Sequence, residues 1–226
     1  MHGSKTPKSR PKFEYADESD KGPYPIPKNV PIEGDPNPGD GDRHALILDR
    51  DTCRLYELYA LQRIGSGWTA GSGAIWNLRS NAVRPAGWTS ADAGGLPILP
   101  GLARWADAAT GRIDHALRFT AERTRRAYVY PARHYASDAT DPSLPPMGLR
   151  VRLKASFDIS RFPPQARIVL TALKRYGMIL ADNGSPWYIS GAPSSHWSND
   201  DLHSLSRLTG KDFEVVDTSS LPEPGK

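Results

Sequence analysis

The sequence predicts an α+β fold, a mostly antiparallel or mixed β-barrel of about nine short strands with two or three short helices. Short apolar runs recur between turns rich in Gly, Asn and Asp, which is typical of strands that return through hairpins. Only a few segments have the apolar spacing of a helix. The chain of 226 residues contains one cysteine, Cys53, so packing must stabilise the fold without an intrachain disulfide.

Two segments differ in composition. Residues 1–42 are rich in Pro, Gly and charge, and proline removes a backbone donor and disfavours helix in the residue before it. We therefore expect an arm or linker over 1–42 and a single β-rich domain over 43–226. We expect the first dozen residues to be loosely held.

The first half of the domain is predicted from its short apolar runs. Residues 44–49 and 53–59 flank the turn formers Arg50–Thr52 and predict a hairpin. Further strands are expected within 67–80, where glycines suit bulges and close backbone approach. After an irregular loop, residues 102–110 predict a short helix that ends at Gly111.

The second half shows clearer patterns. Residues 113–120 and 126–132 are predicted to pair around a charged turn, and 150–156 alternate between apolar and basic side chains as in a half-buried strand. Pro163 and Pro164 open a helix with an apolar stripe, and Gly177 closes it.

The last segments are predicted from turn and cap residues. Residues 178–182 and 185–190 flank Asn183–Gly184, a strong two-residue turn signal, and predict a hairpin. A final helix is expected from Asn199 to Gly210, followed by a strand at 213–217.

Several motifs resemble those of an uncharacterised, largely secreted bacterial protein family. They include GRIDHALRFT and ALKRYGMILADNGSPWYISGAP. The order of PMGLRVRL and ILADNG is also similar to the double-psi β-barrel of lytic transglycosylase-like and expansin-like proteins. This second resemblance implies a double-psi-like barrel with an Asp in its groove acting on a polysaccharide.

Asp182, Asp114 and His115 are the candidate catalytic residues. Cleavage of a glycosidic bond needs a carboxylic acid that protonates the leaving oxygen, with or without a second carboxylate. Each residue also has a structural explanation. Asp182 can stabilise the Asn183–Gly184 turn, Asp114 can pair with an arginine, and His115 can be a hydrogen-bonded core residue.

Aromatic side chains near glycine- and serine-rich turns are the candidate substrate-binding groups, since flat rings at groove edges stack on sugar faces. The predicted binding residues are Trp68, Trp88, Trp187, Trp197 and His134. Packing of these rings in the core or against loops is the alternative. His115 and His134 are also a possible metal pair with an aspartate, but their spacing matches no compact zinc motif, and no cofactor or metal is predicted.

Charge argues against nucleic-acid binding. The net charge of +4 comes from four basic residues within the first twelve positions, and the remainder is balanced. No segment is long and apolar enough to span a membrane. We therefore predict a polysaccharide-cleaving enzyme, a glycoside hydrolase or lytic type, acting outside the cytoplasm. The alternative is a non-catalytic carbohydrate-binding or cell-surface module. The oligomeric state is left open.

Overall fold

The computed structural model describes residues 6–37 and 39–221. Two compact units account for them. The first contains the described residues up to Ile98 together with Pro131–Tyr135, and the second contains Leu99–Tyr130 and Ala136–Leu221. The division into segments 1–42 and 43–226 stays a prediction, and its ends at 1–5 and 222–226 lie outside the described residues.

The first unit is built from eight short strands and one 3₁₀ turn at Ala16–Glu18. The strands are β1 (Lys8–Ser9), β2 (Lys12–Phe13), β3 (Tyr24–Pro25), β4 (Ala45–Asp49), β5 (Arg54–Tyr59), β6 (Gln62–Ile64), β7 (Gly67–Ala70) and β8 (Ser72–Asn77). They form three sheets in the orders β4-β5-β8, β2-β7-β6 and β1-β3.

The predicted hairpin of β4 and β5 is confirmed, with Ala45 opposite Leu58 and Asp49 opposite Arg54. Cys53 lies in the turn before β5 with a positive φ of 52°, so its predicted place in the strand is wrong.

A hydrophobic core lies behind this hairpin. Its fully buried side chains include Tyr24, which belongs to the segment predicted as an arm. Tyr24 also donates its hydroxyl hydrogen to the Asp20 carbonyl. Lys8–Ser9 and Lys12–Phe13 are paired strands, so the expectation of a loose first dozen residues is wrong for Lys8, Ser9 and Lys12.

The second unit contains one four-stranded sheet with helices and turns around it. Its strands are β9 (Leu117–Ala121), β10 (Arg150–Leu153), β11 (Met178–Asn183) and β12 (Phe213–Val215). Its helices are α1 (Trp105–Ala108), α2 (Pro164–Arg175) and α3 (Asn199–His203), with 3₁₀ turns at Leu99–Gly101, Ser204–Arg207 and Gly210–Asp212. The strand order is β12-β10-β11-β9.

Helix α2 confirms the strongest helix prediction. Pro164 occupies the first turn, where its missing N–H costs nothing. Val169, Leu170 and Leu173 are buried on its apolar face, and Gly177 follows its end with a φ of 72°. The predicted last helix is also present as α3 and the following 3₁₀ turn, although the capping side chain is Ser198, which accepts from the Asp201 amide.

The pairing predicted around β9 and β11 is wrong. β9 runs parallel to β11, with Leu117 opposite Met178, and does not pair with 126–132. β11 has β10 on its other side, so both of its edges are occupied. The chain after Asn183–Gly184 therefore cannot return along β11, and Ile189 instead forms an antiparallel bridge with Phe119 on β9.

The described residues thus form a mixed α+β structure dominated by sheets, as predicted. No closed barrel is found among the four sheets of these residues. None of the described helices is both long enough and apolar enough to cross a membrane.

Candidate functional site

The second unit contains a cavity of about 820 Å³. This volume is within the range of small-molecule sites, roughly 300–1,000 Å³. The cavity lies between the segment after β11 and the α3 region, with α2 and β11 also contributing. Its apolar and aromatic lining includes Val169, Met178, Trp187, Tyr188, Trp197, Leu202, Leu205 and Phe213.

Trp187 is held in this lining by two aromatic rings and a backbone hydrogen bond. Its indole stacks on Phe119 at 5.5 Å and on Phe213 at 5.0 Å between ring centroids, with interplanar angles of 12° and 20°. Its backbone N–H donates to the carbonyl of Thr120 at 3.0 Å. The φ of Trp187 is 60°, a strained value for a bulky residue that persists only where the surroundings impose it. The residue is still 40% exposed.

Trp197 lines the same cavity. Its ring meets Trp105 edge to face at 5.2 Å, and its Nε1 donates to the carbonyl of Ala192 at 3.2 Å. His196, next to it, stacks on Trp105 at 5.4 Å. The structure therefore brings together two of the four predicted binding tryptophans.

A few polar side chains accompany the apolar lining, namely Ser194, Asn199, His203 and Ser206. Tyr188 adds a hydroxyl and is 61% exposed. A mainly apolar concave surface with a small number of polar groups is the usual composition of a ligand site, because the apolar surface supplies affinity and the polar groups fix orientation.

The other two predicted tryptophans lie in the first unit and have packing partners. Trp68 is half-buried against the hydrophobic core, with the Arg63 guanidinium 5.9 Å from its ring centroid. Trp88 has the guanidinium of Arg84 at 5.3 Å, and Arg84 also lies 5.8 Å from the ring of Trp76. These cation–π contacts favour a structural role for both rings.

Asp182 lies at the end of β11. Its Oδ1 accepts from the backbone N–H of Asn183 at 2.7 Å, and its Oδ2 lies 3.9 Å from the guanidinium of Arg118. Arg118 donates to the Ser190 hydroxyl at 2.6 Å. Asp182 is thus part of a small polar group that connects β11, β9 and the segment following β11.

Asp114 and His115 lie just before β9. Asp114 is paired with Arg112 at 2.7 Å and accepts from the Tyr176 hydroxyl at 3.2 Å. His115 has its Nδ1 2.9 Å from the carbonyl of Ala116, and its Nε2 lies 3.7 Å from Asp107. No sequence pattern links Asp107 to His115, because Asp107 lies in α1 and His115 lies in the segment before β9.

The parallel register separates these candidates. Asp114 precedes Leu117, whose partner is Met178, whereas Asp182 lies four positions beyond Met178. Four strand residues alone span roughly 13 Å. Paired carboxyl groups of glycosidases are about 5 to 9.5 Å apart. Asp114 and Asp182 are therefore not arranged as an acid and base acting on one bond.

In the first unit, the structure reveals a histidine contact that the sequence did not predict. The 87–96 loop is held by two imidazoles: His44 Nε2 lies 2.8 Å from the carbonyl of Ala91, and His134 Nδ1 lies 2.8 Å from that of Ala93. Behind His44, Glu33 Oε2 lies 2.7 Å from Nδ1. No sequence signal links these positions, because Ala91 is 47 residues from His44.

The pKa of His44 reflects this environment. Burial of the ring by itself lowers the pKa of the imidazole. The hydrogen bond and charge of Glu33 act in the opposite direction, with smaller contributions from the Ala91 carbonyl and the charge of Asp42. The balance raises the pKa of His44 above its ordinary value.

A metal site that contains His115 and His134 finds no support in the described residues. Within 6–37 and 39–221, no three His, Cys, Asp or Glu side chains are grouped closely enough to hold a metal ion.

No family model, curated protein or solved structure matches this chain significantly. The motif resemblance to a bacterial family therefore stays a prediction.

Proposed function

We propose that the second unit binds a saccharide in the cavity beside Trp187, as a non-catalytic carbohydrate-binding module. The observation that carries this proposal is the rigid, partly exposed indole of Trp187 within a concave aromatic surface. Stacking by Phe119 and Phe213 fixes this ring before a ligand arrives, which reduces the entropy lost on binding.

The chemistry of the cavity suits a sugar ring. Sugar rings present C–H groups on one face and hydroxyls around the edge, so they need a flat apolar surface with a few hydrogen-bonding groups beside it. Trp187 and Tyr188 supply aromatic surface, while Asn199 and Ser194 supply polar groups.

A polysaccharide-cleaving enzyme, a glycoside hydrolase or lytic type, is the second proposal. It is favoured by one observation, that Asp182 lies at the end of β11, directly before the segment that carries Trp187. This mechanism would use Asp182 without Asp114 as its partner, since the parallel register separates them. The double-psi-like relationship belongs to this second proposal.

Both proposals include a polysaccharide partner and a place outside the cytoplasm. The support for that location is the motif resemblance to largely secreted bacterial proteins. Fractionation of cells producing the natural protein, followed by immunodetection, tests it directly, and recovery only with the cytoplasmic fraction would contradict it.

Calorimetric titration against a panel of soluble polysaccharides tests the binding function. Tyr188→Ala removes an exposed ring of the cavity and should weaken binding roughly 2- to 13-fold, the equivalent of one aromatic contact. Tyr15→Ala is the matched control, because Tyr15 is 46% exposed but belongs to the first unit. The proposal fails if no glycan binds, or if both variants bind a glycan as tightly as the unaltered protein.

Release of reducing or unsaturated sugar ends from a bound glycan tests the catalytic proposal. If Asp182 donates a proton to the leaving oxygen, Asp182→Asn should lower turnover by roughly two to four powers of ten. A glycan that binds but is not cleaved would support the binding module and contradict the enzyme proposal. Equal release by the unaltered protein and by Asp182→Asn would show that Asp182 is not the proton donor.

A further inference from the structure

We propose that His44 is a protonation-dependent latch on the 87–96 loop, closed when the imidazole carries two protons and open when it carries one. Its ring connects three parts of the first unit. These are Glu33 in the N-terminal segment, the start of β4, and Ala91 in the loop. Backbone contacts strengthen the first connection, because the amide of Glu33 donates to the His44 carbonyl at 2.9 Å.

The two partners of His44 are both acceptors. Glu33 offers a carboxylate oxygen at 2.7 Å and Ala91 a carbonyl oxygen at 2.8 Å. A neutral imidazole has one N–H and one lone pair, whereas an imidazolium has two N–H groups. Only the imidazolium can therefore donate to both oxygens. In either neutral tautomer, one nitrogen lone pair faces an oxygen lone pair.

The carboxylate keeps the remaining donor when the ring becomes neutral. A hydrogen bond to a charged acceptor is stronger than one to a neutral carbonyl, so the tautomer protonated at Nδ1 is favoured. The contact with Ala91 is then the one that is lost. Deprotonation thus releases the loop while leaving the bond between His44 and Glu33 in place.

Other charged and aromatic groups lie around the ring. Asp42 adds negative charge, and the Tyr59 ring lies 5.8 Å from the imidazole between centroids. Arg43, the nearest cation along the chain, is engaged with Asp35 at 2.9 Å and with a backbone carbonyl. On the loop, the group that contacts the imidazole is the carbonyl of Ala91.

His134 provides an internal comparison. Its Nδ1 lies 2.8 Å from the carbonyl of Ala93, but its Nε2 is 3.8 Å from Glu18. A neutral His134 with its proton on Nδ1 keeps the bond to Ala93. The His44 contact with the loop consequently needs a second proton on its ring, whereas the His134 contact does not.

Opening is confined to part of the loop. Thr89 remains bound through its amide to Glu18 at 3.0 Å, and the Ser90 hydroxyl donates to the carbonyl of Leu96 at 2.6 Å. The central residues around Ala91 are the ones released.

The sign of the effect follows from the raised pKa of His44. The stabilisation that the latch provides is complete below the unfolded-state pKa, about 6.5, and is lost as the pH rises through the higher pKa of the folded protein. The loop should therefore be tighter in mildly acidic solution than in alkaline solution.

Nuclear magnetic resonance of the full chain tests the latch. The His44 ring protons should titrate above the unfolded-state value of about 6.5. Amide protection at Asp92 and Gly95, corrected for intrinsic exchange, should fall roughly fivefold through the same transition, the equivalent of one hydrogen bond. Glu33→Gln should shift both midpoints to lower pH, since it keeps the acceptor oxygen but removes the charge.

Two variants complete the experiment. His44→Gln should remove the pH dependence of loop protection, whereas His203→Gln, at an exposed position, should leave it unchanged. The proposal is overturned if His44 titrates at or below about 6.5 in the unaltered protein, a measurement that requires no variant to fold. It is also overturned if the transition in loop protection persists in His44→Gln.

Discussion

Trp187 stacks on Phe213 with ring centroids 5.0 Å apart and planes inclined by 20°. Phe213 is the first residue of β12, and Trp187 lies in the segment after β11. The contact therefore joins that segment to β12. Trp187 consequently serves both as ligand surface in our proposal and as packing for the sheet.

Trp187→Ala should lower the free energy of unfolding by about 2 to 3 kcal/mol. This is less than the 3 to 5 kcal/mol typical of a buried tryptophan, because part of the ring is exposed. Chemical denaturation measures the loss. Its neighbour Tyr188→Ala should change stability by less than about 0.5 kcal/mol. Equal losses in the two variants would mean that the stacking contributes little.

Glu57 is a fully buried carboxylate that holds two donors. It accepts from Trp76 Nε1 at 3.0 Å and from the backbone N–H of Ile98 at 2.9 Å. Glu57→Ala should cost about 2 to 6 kcal/mol, about 1 to 3 for each buried donor that loses its acceptor. Glu57→Gln keeps one acceptor oxygen and should cost less in the same denaturation experiment. If Glu57→Gln lost more unfolding free energy than Glu57→Ala, the charge of Glu57, and not its acceptor oxygens, would be what stabilises the fold.

Gly177 and Gly111 provide a matched pair for backbone strain. Both have positive φ, 72° and 83°, but a Cβ at Gly177 would collide with the carbonyl of Val151, whereas Gly111 has open space. Gly111→Ala should cost about 1 to 2 kcal/mol from the left-handed conformation alone. Gly177→Ala should cost at least about 1 kcal/mol more from overpacking. Thermal denaturation distinguishes them, and equal costs would contradict the collision.

Asp49 should give the β4–β5 turn an acid-dependent component. The hydrogen bond from Thr52, with further bonds from the amides of Thr52 and Asp51, lowers the pKa of the Asp49 carboxyl. Its contribution is therefore present above the unfolded-state pKa, about 4, and is lost as the pH falls through the lower folded-state pKa. Asp49→Asn should reduce the fall in melting temperature between neutral and strongly acidic solution.

Asp51→Asn is the control for this measurement, because Asp51 contributes its backbone amide to the contact. The melting temperature of Asp51→Asn should fall in acid as much as that of the unaltered protein. An unchanged acid dependence in Asp49→Asn would show that other carboxylates account for it.

Local pattern was sufficient for the elements whose partners lie nearby. The apolar stripe of Val169, Leu170 and Leu173 and the turn residues between β4 and β5 predicted α2 and the hairpin correctly. Pairing between distant segments was not predictable in this way. Asn183–Gly184 is a good turn signal, but β10 and β9 already occupy both edges of β11.

Local sequence pattern also predicted only part of the candidate site. Trp187 and Trp197 were identified from their glycine- and serine-rich surroundings, and both line the cavity. The separation of Asp114 from Asp182 depends on the parallel direction of two strands, and the contact of His44 with Ala91 depends on a loop placed by other parts of its unit. Residue type and spacing carry no information on either arrangement.

The position of β9 has a consequence for synthesis on the ribosome. Both neighbours of this strand, β11 and the residues around Ile189, are translated after it, and Met178 follows its partner Leu117 by roughly 60 residues. At about 5 to 20 residues per second, the nascent strand waits roughly 3 to 12 s before either neighbour exists. During that interval Leu117 and Phe119, buried in the finished protein, have no strand partner to pair with.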